Sequence, residues 1–208
     1  MILIGQYDSP FVRRVGIALT LYGLPFEHRP WSTFADADKI RPYNPLTRVP
    51  ALVLDDGDVL IESHHILDYI DRLVPADRVM FPAAEPARHR ALKIAALATG
   101  MADKAVSLFY EKVLHGARSE TWVRRCTTQI TAAMAALEAD RADRRGGYWF
   151  GHSIGHADIA VAVALRFIAE AHPGLIAMAA FPALAAHAAR LETLSVFRAI
   201  SQPFIPPA

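Results

Sequence analysis

Residues 44–70 read NPLTRVPALVLDDGDVLIESHHILDYI. Two short apolar runs, residues 51–54 and 58–61, have strand character and are separated by an acidic, glycine-containing stretch. The pair Asp56-Gly57 suits a two-residue hairpin turn, because glycine accepts positive φ. Ser63 then opens a helix through residue 73. Toward the N-terminus, residues 34–40 form a weak helical segment and residues 26–30 a further strand. Residues 10–22 show helical spacing, with Phe11, Val15, Ala18, Leu19 and Tyr22 on one side. Gly23 and Pro25 are the expected stop signals. Residues 1–5 are an apolar run of the kind found in buried central strands. The order is β-α-β-α-β-β-α, with the first two strands parallel and the last two antiparallel.

Past residue 80 the chain changes character and becomes rich in Ala, Leu and Arg. Helices are expected over residues 87–115, 119–144, 155–171, 182–191 and 194–200, punctuated by Gly146-Gly147 and Pro173-Gly174. Gly155 serves as N-cap of the third, with Asp158 near the positive end of its dipole and Ile154 and Ile159 placed as a hydrophobic staple. Three prolines between Pro75 and Pro86 mark a linker. The expected division is residues 1–76, a linker at 77–86, and an all-helical domain at 87–208.

The 208 residues are 53% apolar and 21% charged, which places the chain among globular proteins. Lys and Arg total 22 against 21 Asp and Glu, a net charge of +1. That balance gives no electrostatic reason to expect nucleic acid or an anionic membrane as partner. The longest apolar stretch, residues 159–168, is broken by Arg166 and is too short to span a bilayer. The N-terminus lacks the pattern of a signal peptide. A single cysteine, Cys126, excludes an intrachain disulfide framework and a multi-cysteine zinc site. The expectation is a soluble cytoplasmic protein.

Three places carry residues suited to chemistry. In Tyr7-Asp8-Ser9-Pro10-Phe11, Ser9 sits as N-cap and Pro10 at the first helical position. Read alone, this is either a capped helix or a hydroxyl beside unpaired N–H groups, a place that stabilises an anion, including a thiolate. In Asn44-Pro45-Leu46-Thr47-Arg48-Val49-Pro50, the choice is between a proline-bounded loop and a cis peptide at Val49-Pro50. A cis bond there turns the backbone of Val49 outward to pair with an extended peptide. At Glu62-Ser63, the choice is between a simple cap and a grip on the two ends of an amino acid, carboxylate to ammonium and hydroxyl to carboxylate.

The order and spacing of these places on a β-α-β-α-β-β-α frame resembles the glutathione transferase family, in its bacterial serine-type form. The resemblance rests on YDSPFVRRVGIAL, on residues 44–70 and on GHSIGHADIAVAVAL in the helical half. It implies an α+β thioredoxin-like domain followed by an all-helical domain, a homodimer, and glutathione as cosubstrate for attack on a small hydrophobic electrophile. It further implies Ser9 as the catalytic residue holding the glutathione thiolate, with Phe11, Arg48, Val49, Pro50, Glu62 and Ser63 in the glutathione-binding set. Val49 is matched to the cysteinyl part, Glu62 and Ser63 to the γ-glutamyl part, and Arg48 to the glycyl carboxylate. Asp103 is matched to an acid that reaches the partner subunit's glutathione. Tyr7, Lys104, Ser107, Leu108 and Glu111 are assigned to the electrophile pocket. Isomerase, peroxidase or plain ligand-binding roles on the same fold stay open.

The chemistry fits those parts. A thiol of pKa about 8.5 is only a few per cent thiolate at neutral pH, and lowering it by about two units corresponds to about 2.7 kcal/mol. The family's usual Ser or Thr three residues before the helix-capping aspartate is Gly155 here. His64-His65 with Asp68, and His152 with His156, have metal-like spacing. Zinc needs three or four convergent ligands, so no metal is expected. Arg13-Arg14, Arg124-Arg125 and Arg144-Arg145 are read as wet helix faces. Cys126 is expected to pack or to lie on the surface, without a catalytic role.

Overall fold

The computed structural model describes residues 1–206. The chain divides into two units, one of residues 1–80 with the stretch from Leu194 onward, the other of residues 81–193.

In the first unit, β1 (Ile2–Ile4), β2 (Glu27–Arg29), β3 (Ala51–Val53) and β4 (Val59–Ile61) form one sheet in the order β2-β1-β3-β4. β1 is parallel to β2 and antiparallel to β3, and β3 is antiparallel to β4. Leu3, Leu52 and Leu60 stand in register across three strands. They pack on Val12, Val15, Ala18 and Leu19 of α1 (Pro10–Tyr22) and on Ile66, Leu67 and Ile70 of α3 (Ser63–Asp71). The alternate residues Ile4, Ala51 and Val53 cluster with Ile40 of α2 (Ala37–Ile40) and with Trp31 and Tyr43. The two-residue period of a strand thus divides these apolar side chains between two clusters. Gly23 closes α1 in the left-handed conformation, φ 70°, its N–H donating to the Leu19 and Thr20 carbonyls.

The hairpin between β3 and β4 differs from the expected two-residue turn. Leu54 N–H donates to Asp58 O and Gly57 N–H to Leu54 O, so the loop holds Asp55, Asp56 and Gly57. Asp56 Oδ1 accepts the Asp58 N–H at 3.0 Å, a side-chain contact that favours the longer loop. Gly57, at φ 91°, takes its left-handed position.

The second unit contains α4 (Ala87–Leu114), α5 (Glu120–Ala142), α6 (His156–Ala171) and α7 (Pro182–Glu192). α6 is buried without interruption from His156 to Leu165, as expected of a helix that is apolar on every side. It packs against α4 and α7, and α4 also packs against α5. The buried residues Ala91, Ala95, Ala98, Ala102 and Ala105 of α4 recur at spacings of four and three, one small-residue stripe along the helix. Asp158 accepts the Gly155 and Trp149 N–H groups, each at 2.9 Å, and so caps α6 without a side chain at the N-cap. Burial pushes its carboxyl up to about 6. His187 of α7 lies 3.6 Å from the same carboxylate, and burial lowers it to about 4. Among the described residues no helix is long and apolar enough to cross a membrane.

The stretch after residue 193 corrects two expectations. It was assigned to the helical domain, yet α8 (Ser195–Ala199) packs on α1 in the first unit. Arg13 explains why. Its Nε donates to Ile200 O at 2.8 Å and a terminal nitrogen donates to Phe197 O at 2.9 Å. Gly16 leaves room for this docking, because a Cβ there would lie 2.9 Å from Ile200. The pair Arg13-Arg14 is therefore no wet face: the two residues are 2% and 1% exposed.

Candidate active site

Three junctions of the first unit carry the site residues, and packing ties them together. Ser9 caps α1, its Oγ accepting the Val12 N–H at 3.4 Å. Gly5, at the end of β1, joins this turn to the Val49 loop. A Cβ at Gly5 would lie 2.5 Å from Val12 and 2.8 Å from Val49. The Val49-Pro50 peptide is cis, as expected. Among the described residues the Val49 backbone N–H and C=O make no hydrogen bond within the chain. Asn44, buried at 1% exposure, braces this loop from within. Its Nδ2 donates to Arg48 O at 2.9 Å and its Oδ1 accepts the Leu46 N–H at 3.1 Å.

The Glu62-Ser63 corner closes the arrangement. Arg48 and Glu62 form an ion pair of 3.5 Å with both side chains half exposed. Ser63 is buried, and Arg14 donates to its Oγ at 3.4 Å. Thr47 and Glu62 hold positive φ, 52° and 66°, without being glycine. Such conformations cost about 1–3 kcal/mol each and concentrate at ligand clamps. Phe11 is half-buried at the start of α1 and Pro50 is buried.

Tyr7 is half-buried and stacks on His28, ring centroids 3.8 Å apart. Burial pushes its phenol up to about 12, so it stays protonated at neutral pH. Its backbone N–H donates to Gln202 Oε1. The structure thus brings Ser9, Val49, Arg48, Glu62 and Ser63 into one connected region. Gly5, Asn44 and Arg14 support that region and were given no such role in the sequence. Arg14 stands three residues after Phe11 and four before Ala18, so its place on the apolar face of α1 was the signal for it.

A model of the glutathione S-transferase N-terminal domain matches residues 3–78, and a model of the C-terminal domain of the same family matches residues 120–190. The GST-like protein YibF of Escherichia coli is 31% identical over 169 residues, 81% of this chain and 82% of its own. The chain belongs to the glutathione transferase family. A transferase of Methylobacterium radiotolerans, solved in complex with glutathione sulfonate, superposes with a TM-score of 0.89 at 27% identity, over 100% of this chain and 98% of that one. A maleylacetoacetate isomerase of Pseudomonas aeruginosa is 28% identical over 170 residues, 76% of this chain and 77% of its own.

In the helical unit of this transferase, Asp103 and Lys104 of α4 pair with each other at 3.4 Å. Leu108 and Glu111 line a cavity of about 350 Å³ together with Lys112, Arg118 and His172. Ser107 is half-buried and lies beside Cys126, whose thiol burial pushes up. Against the expectation that Glu111 lines an electrophile pocket, its carboxylate is already committed. It accepts the Ser119 N–H at 2.7 Å and meets His115 Nδ1 at 2.7 Å, so it clasps the end of α4 to the start of α5. Cys126 is fully buried.

Proposed function

We propose that glutathione lies extended along Ser9, Val49 and the Glu62-Ser63 corner, and that the enzyme adds its thiolate to a small hydrophobic electrophile. The observation that carries this reading is the Ser9 hydroxyl. Its oxygen takes the Val12 N–H, which leaves its own proton to donate outward at the N-terminus of a 13-residue helix. A donor, helix N–H groups and the helix dipole together favour a thiolate there. The unpaired backbone of Val49 suits the cysteinyl residue, and the buried Pro50 fixes that strand end. Glu62 suits the glutamyl ammonium and Arg48 the glycyl carboxylate. As an exposed pair those two side chains hold each other by about 0–1 kcal/mol, so exchanging that contact for the ligand's charges costs little. Phe11 adds apolar surface beside the helix start.

In the reaction the sulfur electron pair forms the S–C bond, and the displaced pair leaves with the leaving group or is quenched by a proton. The transferase works as a homodimer in the cytoplasm, with Asp103 reaching the partner's glutathione. A second reading draws on the isomerase relative: the thiolate adds to a double bond and is expelled again, so glutathione is returned unchanged.

The test is thiolate absorbance of the glutathione complex against pH. Ser9→Ala is expected to raise the bound thiol's pKa and slow turnover by up to roughly 10²–10³, with affinity little changed. Tyr7→Phe is the comparison and is expected to leave the titration in place. If Tyr7→Phe moves it and Ser9→Ala does not, the assignment of Ser9 fails. Measuring glutathione consumed per product separates conjugation from isomerisation.

A further inference from the structure

The turn that leads from β1 to Ser9 is held at both ends of its path. At Gly5 the partners come from β2: the Gly5 N–H donates to Arg29 O at 2.9 Å, and His28 Nε2 donates to Gly5 O at 2.8 Å. At Tyr7 the partner is a side chain 195 residues away, since the Tyr7 N–H donates to Gln202 Oε1 at 3.2 Å. No backbone carbonyl of the described residues serves that N–H. Gln202 is half-buried, and its neighbours place it. Two residues earlier, Arg13 holds Ile200 O at 2.8 Å. A Cβ at Gly16 would lie 2.9 Å from both Ile200 and the Tyr7 ring, so the two side chains share the bare backbone of α1 there. On the other side, Pro203 biases Gln202 toward extended conformations. One planar peptide carries this grip to the site. The Gln6-Tyr7 peptide offers its N–H to Gln202, and its C=O accepts the Ser9 N–H at 3.2 Å. Because a peptide group is rigid, fixing one end fixes the other.

We propose that Gln202 is a positioning residue for the Ser9 hydroxyl, acting through the Gln6-Tyr7 peptide. This rests on the reading that Ser9 holds the glutathione thiolate. Without the Gln202 acceptor, the half-buried Tyr7 N–H has to find another partner, and the peptide plane rotates to reach one. The Gln6 carbonyl then swings away from the Ser9 N–H, and the Ser9 side chain loses its aim at the sulfur. A hydrogen bond of this kind weakens steeply with misalignment, so a small rotation is enough to matter. The stretch after α8 thereby belongs to the catalytic apparatus without touching the reacting atoms.

The experiment is a double-mutant cycle on the full chain, read as thiolate absorbance of the glutathione complex against pH. Gln202→Met keeps the reach of the side chain and removes its amide acceptor; Gln202→Leu replaces it if that variant is insoluble. In the wild-type background the change is expected to raise the bound thiol's pKa by about half a unit to one unit, the reach of one ordinary hydrogen bond. Turnover should fall by about 3- to 10-fold on the acid side of the titration, and the loss should close once the thiol is fully ionised. In the Ser9→Ala background the same change should leave the titration in place, because no hydroxyl remains to be aimed. A titration that stays put in Gln202→Met, whatever its melting temperature does, makes Gln202 a structural strut and overturns the proposal. An equal shift in both backgrounds overturns it too, since the effect would then bypass Ser9. If Ser9→Ala alone leaves the titration unmoved, or the wild type binds no glutathione, the reading of Ser9 fails and takes this role with it.

Discussion

Gly5→Ala tests whether the junction between β1, the start of α1 and the Val49 loop is as tight as its geometry implies. Two separate costs arise. Gly5 has φ 126°, a region that residues with a Cβ avoid, which costs about 1–3 kcal/mol. The new methyl would also sit 2.5 Å from a Val12 methyl and 2.8 Å from Val49 Cβ, against about 3.5–4.0 Å for a relaxed contact. Overpacking of that kind costs a further 1–3 kcal/mol or so. A total of about 4 kcal/mol lowers the melting temperature by roughly 8–16 °C for a chain of this size. Gly57→Ala is the internal standard. It too has positive φ, 91°, but a Cβ there meets nothing within 4 Å. It should lose only the backbone share, about 2 kcal/mol or roughly 4–8 °C. Relief of the overlap pushes Val12 or Val49 away, so Gly5→Ala should also weaken glutathione binding, whereas Gly57→Ala should not. Thermal melts followed by circular dichroism, with calorimetric titration of glutathione, read both effects. Equal melting of the two variants with equal affinity would refute the packing argument.

Glu62→Ala should weaken glutathione binding by about 1.5–3 kcal/mol, since the glutamyl ammonium loses its charge-assisted partner; calorimetry on the folded variant checks it. His187→Phe should change the acid side of the stability profile. His187 is held down to about 4 by burial, so the unfolded chain takes up a proton below about 6.5 that the folded chain refuses until about 4. Stability from this residue is present above that window and is lost as pH falls through it. The variant should gain up to about 3 kcal/mol over the wild type near pH 4 and nothing at pH 8, as read by urea unfolding at each pH. Sedimentation at micromolar concentration should give twice the chain mass, and a fully active monomer would contradict the dimer.

The sheet was legible because its signals are local. Ser9 and Pro10 start α1, Gly23 stops it, and the alternation through Leu52 and Leu60 assigns the two clusters. The same holds for Ser9, Val49, Glu62 and Ser63, each at a junction marked by a cap or a proline. What stayed hidden depends on distant partners. Nothing near Arg13 in sequence announces that it will bind carbonyls 184 and 187 residues away. Adjacent arginines are ordinarily solvated, so the burial of Arg14 emerges only when position 14 is placed on the helical face it shares with Ala18. Glu111 looked available on α4, and it is taken by the Ser119 backbone eight residues on. The hairpin departs from a two-residue turn because Asp56 spends its side chain on the Asp58 backbone and lengthens the loop.

The docking of α8 makes the first unit discontinuous in the chain, and translation has a direction. Residues 1–80 leave the ribosome first, but the helix that packs on α1 emerges only after residues 81–193 have been made. At about 5–20 residues per second, that is a wait on the order of ten seconds. During it, Arg13 lacks the Phe197 and Ile200 carbonyls and the notch at Gly16 lacks Ile200, so the part of α1 that α8 covers is bare. The nascent chain therefore carries a nearly finished sheet with one raw side, a surface on which a holdase can act and a protease can cut. Stop codons anywhere between residues 81 and 194 should yield products that form the sheet yet never finish the catalytic unit.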